Sequence, residues 1–218
     1  MPCFITAHAG ALGTEDNTLA SLQTCLEFFD GGGCVEVDVH FDAAGVPILT
    51  HDLPEPGERP PLLSEFFALL RGFPARVNLD LKSTANLPEV QRLAEQYGVL
   101  PQLFFTGVTA DWAEAVRAGA PKIPCYINWS LPGDAPPSRD TLLALAAEIK
   151  ALGAIGLNTR WQNASGAMAE IMHENGLLCS VWTVNEAGDM RRMLSFGMDN
   201  ITTRRPDVLR DIVSEIKN

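Results

Sequence analysis

The segment CVEVDV, residues 34–39, decides the fold that this sequence predicts. Side chains alternate between the two faces of a β-strand, so Glu36 and Asp38 share one face and the valines share the other. The valines are expected to pack against helices, which directs both carboxylates toward the interior of the sheet. Such a strand fits a closed parallel barrel, because barrel strands have no open edge on which charges could meet solvent.

Apolar runs of strand length recur along the whole chain. Including the segment at 34–39, there are eight such runs, at residues 3–7, 34–39, 76–81, 103–105, 123–127, 155–157, 178–183 and 200–203. Segments with a 3.6-residue apolar period lie between them and predict helices over 18–29, 63–71, 87–97, 111–118, 139–152, 164–174, 186–195 and 207–216. This alternation predicts an α/β protein with a single (β/α)8, or TIM, barrel domain spanning residues 1–218.

Two stretches interrupt the alternation. Residues 46–52 predict an additional short extended piece, and residues 131–138 form a proline-rich loop before the fifth helix. Neither is expected to form a second domain. An open doubly wound sheet is disfavoured, because the sequence has no glycine-rich phosphate-binding turn.

Composition places the chain among ordinary globular proteins and limits its partners. Hydrophobic residues make up 46% and charged residues 20%, and the formal net charge is -11. This charge disfavours nucleic acid, although a small anionic ligand can still meet local positive charge. The five cysteines lie mostly in apolar runs and indicate a reducing, cytoplasmic location. The sequence has no apolar run long enough to predict a membrane span.

A second predicted strand has the same alternation of polar and apolar side chains as residues 34–39. In VNLDLK, residues 77–82, the side chains of Asn78, Asp80 and Lys82 share a face. Asp80 would join Glu36 and Asp38 as a third carboxylate, and a divalent cation would relieve the repulsion among them. An all-oxygen ligand set favours Mg²⁺ or Ca²⁺. Lys82 is expected to meet an anionic substrate, with an ordinary salt bridge to a carboxylate as the alternative.

Two histidines fall near predicted strand ends. His8 follows the first strand, and His51 follows the extended piece at 46–52. Since histidine titrates near neutral pH, one ring can accept a proton from a nucleophile while the other donates one to a leaving oxygen. Either histidine alone is more often a structural residue. Together with three carboxylates and a lysine, they predict acid–base catalysis.

Seven short segments in order resemble the glycerophosphodiester phosphodiesterase family. Its marks are His-Arg-Gly, Glu-Asn-Thr, Glu-x-Asp, His-Asp, Asn-x-Glu-x-Lys, Trp-Thr-Val-Asn and Thr-Asp-x-Pro. The corresponding segments here are HAG at 8–10, DNT at 16–18, EVD at 36–38, HD at 51–52, NLDLK at 78–82, WTVN at 182–185 and TRRP at 203–206.

The resemblance implies a TIM barrel of the PLC-like phosphodiesterase type and hydrolysis of glycerophosphodiesters to glycerol phosphate and an alcohol. It implies that Glu36, Asp38 and Asp80 hold Mg²⁺ or Ca²⁺. It further implies that His8 and His51 act as general acid and base, and that the neighbouring glycerol hydroxyl attacks phosphorus through a cyclic phosphate. On the same basis, the substrate-binding residues are expected to include Lys82, Asn17 and Trp182, the last with a plain core position as the alternative.

The chain also departs from the family pattern. Ala9 replaces the phosphate-binding arginine, and Asp80 is one methylene shorter than the family's glutamate. Arg204 stands where the family has aspartate, and the loop at 53–61 predicts a reduced cap. Strand parity points Arg204 inward, because Ile201 must face the helices, and in a closed barrel the eighth strand lies beside the first. We therefore hypothesise that Arg204 restores the charge lost at Ala9. The alternative is a surface arginine at a helix start.

These departures leave two other functions open. One is a catalytically impaired barrel that binds a phosphorylated ligand, although a pure binder has no evident need for both histidines. The other is a phospholipase D-like enzyme that releases a cyclic phosphate.

Overall fold

The computed structural model describes residues 3–30, 32–132 and 136–217. Positions 133–135 of the predicted proline-rich loop lie outside the described residues. The strands are β1 Phe4–Ala7, β2 Cys34–Phe41, β3 Pro47–Leu49, β4 Arg76–Leu81, β5 Leu103–Val108, β6 Cys125–Asn128, β7 Gly156–Arg160, β8 Leu178–Trp182 and β9 Asn200–Thr203. The α-helices are α1 Leu19–Phe29, α2 Leu63–Leu70, α3 Leu87–Tyr97, α4 Ala113–Gly119, α5 Arg139–Ala151, α6 Gly166–Glu174, α7 Ala187–Ser195 and α8 Pro206–Lys217.

Eight of the strands close into a parallel barrel. Going round the barrel, β1 is followed by β9, β8, β7, β6, β5, β4 and β2, and β2 pairs with β1 to complete the circle. The predicted (β/α)8 barrel is therefore confirmed. The extra extended piece is also confirmed as β3, which pairs antiparallel with β2 outside the barrel.

The outer face of β2 joins the core between barrel and helices. Val35, Val37 and Val39 are fully buried there, as the alternation of the sequence predicts. The inner face carries Glu36 and Asp38, which are also buried. The barrel interior at this end is thus polar and the shell around it is apolar.

The opposite end of the barrel is closed by aromatic and polar side chains. The guanidinium of Arg76 lies 5.0 Å from the ring centre of Phe4 and 5.4 Å from that of Phe104. Beside them, Asn200 accepts a hydrogen bond from Thr6 at 2.6 Å and donates one to Ser180 at 2.9 Å. This packed floor leaves the carboxyl ends of the strands as the open end.

All five cysteines have free thiols. Cys25, Cys34 and Cys179 are buried, while Cys3 and Cys125 are half-buried. Burial raises the pKa of Cys34 to about 12 and that of Cys25 to about 11, so both are protonated at neutral pH. Across the described part of the chain, no helix combines the length and apolar character needed to span a membrane.

Candidate active site

A cavity of about 330 Å³ opens at the carboxyl ends of the barrel strands. Strands that are distant in sequence contribute its polar walls, as expected where active sites form in such barrels. Among its lining residues are His8, Glu36, Asp38, His51, Asp80, Lys82 and Trp182. Seven of the nine side chains predicted from sequence therefore meet in one cavity.

The three carboxylates converge as the sequence predicts. Glu36, Asp38 and Asp80 each offer one oxygen within 4.8 Å of the others. The adjacent register of β2 and β4 produces this convergence, since Asp38 pairs directly with Asp80. Three anionic oxygens at this spacing suit a hard divalent cation.

Each carboxylate is held in place by a hydrogen-bond donor. The backbone N–H of Ala9 donates to Glu36 Oε2 at 2.8 Å, and the hydroxyl of Thr106 donates to Asp80 Oδ1 at 2.6 Å. Asn17 donates to Asp38 Oδ2 at 2.8 Å. These anchors fix the carboxylates while leaving one oxygen of Glu36 without a protein donor among the described residues. The residues present therefore fit a cation held by oxygen ligands.

The surroundings of this cluster shift the pKa of Glu36. Burial, followed by the charges of Asp38 and Asp80, raises the pKa of Glu36 well above its usual value. A bound divalent cation would oppose this effect by stabilising the ionised carboxylate.

Lys82 lies against two of the carboxylates. Its Nζ is 3.0 Å from Asp38 Oδ1 and 2.5 Å from Asp80 Oδ2. Burial disfavours the charged ammonium, but the charges of Asp80 and Asp38 and their hydrogen bonds outweigh it and raise the pKa of Lys82. The lysine is thus charged and partly neutralises the acidic cluster from the cavity side.

We expect Lys82→Met to destabilise the metal-free protein by about 2 kcal/mol, because it leaves Asp38 and Asp80 close together without a counter-ion. Urea denaturation in EDTA measures this loss, and Mg²⁺ should reduce it. Lys122→Met is the matched control, since its ion pair with Glu95 is exposed and screened by solvent. Equal stabilities of Lys82→Met and Lys122→Met in EDTA would contradict the expectation.

His8 is oriented by the backbone. Its Nδ1 lies 2.8 Å from the carbonyl oxygen of Ala9, and a carbonyl can only accept. The hydrogen of the neutral ring is therefore on Nδ1, which leaves the lone pair on Nε2. His8 Nδ1 is also 3.7 Å from Glu36 Oε2, so the ring lies beside the acidic cluster.

His51 reaches the same cavity from outside the barrel. It follows β3, and its side chain is 65% exposed. Nδ1 lies 3.1 Å from Asp52 Oδ1, a contact in which the ring nitrogen donates and the carboxylate accepts. Nε2 is then available for proton exchange, as it is in His8.

The side chain of Asn17 binds the Asp38 carboxylate and does not line the cavity. Its Oδ1 accepts from the backbone N–H of Asp38 at 3.0 Å, while its Nδ2 donates to the same residue's carboxylate. Asn17 has a left-handed backbone with φ of 57°, which asparagine tolerates better than most residues. Both ends of its amide are thus committed to orienting Asp38.

Arg204 lies at the rim of the mouth, paired with Asp16. β9 ends at Thr203, and the guanidinium donates two hydrogen bonds to Asp16 at 2.8 and 2.5 Å. Hydrogen bonding to Arg204 lowers the pKa of Asp16, and the charges of His8 and His51 contribute less. The pair covers Gly10, whose φ is +72° and where an added Cβ would lie 2.0 Å from Asp16 Oδ1. Arg204 therefore lies beside Gly10 but is not among the residues lining the cavity.

The sequence analysis missed two asparagines on the cavity wall. Asn128 ends β6 and Asn158 lies in β7, and both line the cavity. Each comes directly after a predicted apolar run, at 123–127 and 155–157, and shares the inner face of its strand. The alternation rule could have identified them.

Comparison with known proteins agrees with this geometry. The model of the glycerophosphoryl diester phosphodiesterase family matches residues 76–208, which is more than half of the chain. The chain belongs to this family. Members of the glycerophosphoryl diester phosphodiesterase family are phosphoric diester hydrolases, and the protein is an enzyme of that class.

Individual relatives extend the similarity over nearly the whole chain. A glycerophosphodiester phosphodiesterase from Caldanaerobacter subterraneus subsp. tengcongensis is 24% identical over 98% of both chains. A structure of a glycerophosphoryl diester phosphodiesterase from Silicibacter pomeroyi DSS-3 has a TM-score of 0.82 at 22% identity, covering 99% of this chain and 94% of that one.

A phosphodiesterase structure from Oleispira antarctica, in complex with the product sn-glycerol-3-phosphate, has a TM-score of 0.80 at 20% identity. It covers 97% of this chain and 96% of that one. At these identities the structural neighbours establish the fold alone.

Proposed function

We propose that the protein hydrolyses glycerophosphodiesters to glycerol phosphate and an alcohol, using two histidines and a divalent cation. The observation that carries this proposal is the meeting of His8 and His51 with Glu36, Asp38 and Asp80 in one cavity. The Oleispira antarctica relative binds sn-glycerol-3-phosphate, which is consistent with the same product here.

The histidines provide the proton transfers. Nε2 of one ring takes the proton of the neighbouring glycerol hydroxyl as its oxygen bonds to phosphorus. Nε2 of the other ring gives a proton to the alcohol oxygen as its bond to phosphorus breaks. Water then opens the cyclic phosphate with the two roles exchanged. Ala9 and Asp52 keep both rings oriented through Nδ1.

Glu36, Asp38 and Asp80 would hold the cation, Mg²⁺ or Ca²⁺. When bound, it supplies positive charge that stabilises the phosphoryl oxygens in the transition state. Asn17 keeps the Asp38 carboxylate in position, and Lys82 adds a second positive charge on the cavity side. Trp182 forms part of the substrate wall, where it is 37% exposed.

Arg204 is proposed to bind a phosphate oxygen in place of the arginine missing at Ala9. Its pairing with Asp16 beside Gly10 supports this role, because the guanidinium has five donors and the pair uses two of them. We expect Arg204→Ala to raise KM by about 10-fold with a smaller change in kcat. Arg205→Ala is the matched control, since Arg205 is exposed and paired with Asp207. An unchanged KM in Arg204→Ala would exclude the role.

Product analysis tests the proposed function directly. Glycerophosphocholine, glycerophosphoglycerol and lysophospholipids are incubated with the enzyme, with and without metal, and followed by phosphorus NMR. Glycerol phosphate as final product supports hydrolysis. A persistent cyclic phosphate identifies the lyase-like reaction, and no turnover of any member of the panel would contradict the proposal.

A further inference from the structure

The cavity wall opposite His8 carries a pair of asparagines. Asn128 of β6 pairs in register with Asn158 of β7. β6 is reached from β1 either through β9, β8 and β7 or through β2, β4 and β5, so it lies across the barrel from His8. None of the steps proposed above uses these two side chains.

The orientation of both amides is fixed by hydrogen bonds. The backbone N–H of Gly107 donates to Asn128 Oδ1 at 2.9 Å, and a backbone N–H can only donate. Asn158 Nδ2 donates to the same oxygen at 2.9 Å. An exchange of O and N in Asn128 would place donors against donors, and an exchange in Asn158 would place two acceptors against each other, so the assignment holds for both.

This arrangement leaves one acceptor and one donor without partners. Asn158 is 4% exposed, and its Oδ1 is a buried acceptor with no hydrogen-bond partner in the described part of the chain. Asn128 Nδ2 likewise has no acceptor among the described residues, because both of that residue's contacts are made by Oδ1. An unpaired buried polar atom is costly, which favours a ligand that completes the pair.

We infer that Asn128 and Asn158 form a subsite for an alcohol hydroxyl of the substrate. A hydroxyl donates one hydrogen bond and accepts others, so it can satisfy Asn158 Oδ1 and Asn128 Nδ2 together. An ammonium group only donates, a phosphate oxygen only accepts, and a hydrocarbon does neither. The inference rests on the proposed function, which places a phosphodiester in this cavity.

Two parts of a glycerophosphodiester carry such a hydroxyl. One is the glycerol hydroxyl that does not attack phosphorus, and the other is a hydroxylated leaving alcohol. Two substrate pairs distinguish them. Glycerophosphocholine is compared with its analogue lacking the terminal glycerol hydroxyl, and glycerophosphoglycerol is compared with glycerophosphopropanol.

The wild type should prefer the hydroxyl-bearing member of one pair by at least about 10-fold in kcat/KM. Asn158→Leu should remove most of that preference and leave the other pair unchanged. Asn128→Asp, which keeps the oxygen that Gly107 and Asn158 contact and replaces the Nδ2 donor with a charged acceptor, is a second variant if Asn158→Leu does not fold. The matched control is Asn200→Leu, at the closed end, which should keep the wild-type preference.

The subsite is wrong if the preference in both pairs is the same in the wild type, Asn158→Leu and Asn128→Asp. Such a result would leave the proposed hydrolysis standing. If instead the wild type hydrolyses no glycerophosphodiester, calorimetric binding of sn-glycerol 3-phosphate and propyl phosphate tests the glycerol source alone. A wild-type preference for glycerol phosphate that Asn158→Leu reduces supports the subsite, and equal preferences in the two proteins reject it.

Discussion

Replacing His8 or His51 with alanine is expected to lower kcat by at least about 10²-fold while leaving the barrel folded. Each ring lines the cavity, and each has its Nδ1 engaged so that Nε2 can exchange a proton. Steady-state kinetics on glycerophosphocholine measure the loss, and circular dichroism verifies the fold.

His173→Ala is the control for these variants. His173 pairs with Asp199 at 2.8 Å and does not line the cavity. Its removal should leave kcat unchanged. Activity near the wild-type level in either His8→Ala or His51→Ala would remove the acid–base assignment for that residue.

Removing the divalent cation is expected to lower turnover by at least about 10³-fold, because transition-state charge stabilisation worth several kcal/mol is lost. Turnover is measured after treatment with EDTA and again after Mg²⁺ or Ca²⁺ is added back. Asp38→Asn should weaken cation binding in calorimetry as well as slow the reaction, since it removes an anionic ligand from the cluster.

Glu95→Gln is the matched carboxylate control, since Glu95 lies on α3 and pairs with Lys122 far from the cavity. This variant should bind the cation as the wild type does. Full turnover in thoroughly EDTA-treated protein would show that the carboxylates serve another purpose.

The alternation of side chains along the strands was enough to predict which carboxylates face the barrel interior. Glu36, Asp38 and Asp80 lie on the inner barrel face because a two-residue period cannot place them elsewhere once the neighbouring valines and leucines face the helices. β5 and β7 extend further than the apolar runs predicted. Thr106, Asn158 and Thr159 interrupt the apolar runs, but their backbone continues the strand.

Contacts between distant segments could not be predicted in this way. Applied one residue beyond the predicted strand 200–203, the alternation rule pointed Arg204 inward, whereas the backbone N–H of Arg204 donates to Asn185 Oδ1 after the strand has ended at Thr203. The partner of Arg204 is Asp16, 188 positions away in sequence. The role of Asn17 was not predicted either, because nothing in the neighbouring sequence indicates that its amide holds Asp38.

The groups proposed for proton transfer and cation binding all come from the first 82 residues, whereas the cavity residues from Thr106 to Thr202 come from the remainder of the chain. Under the proposed function and the proposed subsite, reaction chemistry and substrate choice therefore lie in separate parts of the chain. We expect substitutions in the later part to alter which alcohol is accepted while the earlier part preserves the reaction. Laboratory evolution of new specificities in this barrel should accordingly concentrate its diversity on β5 to β9.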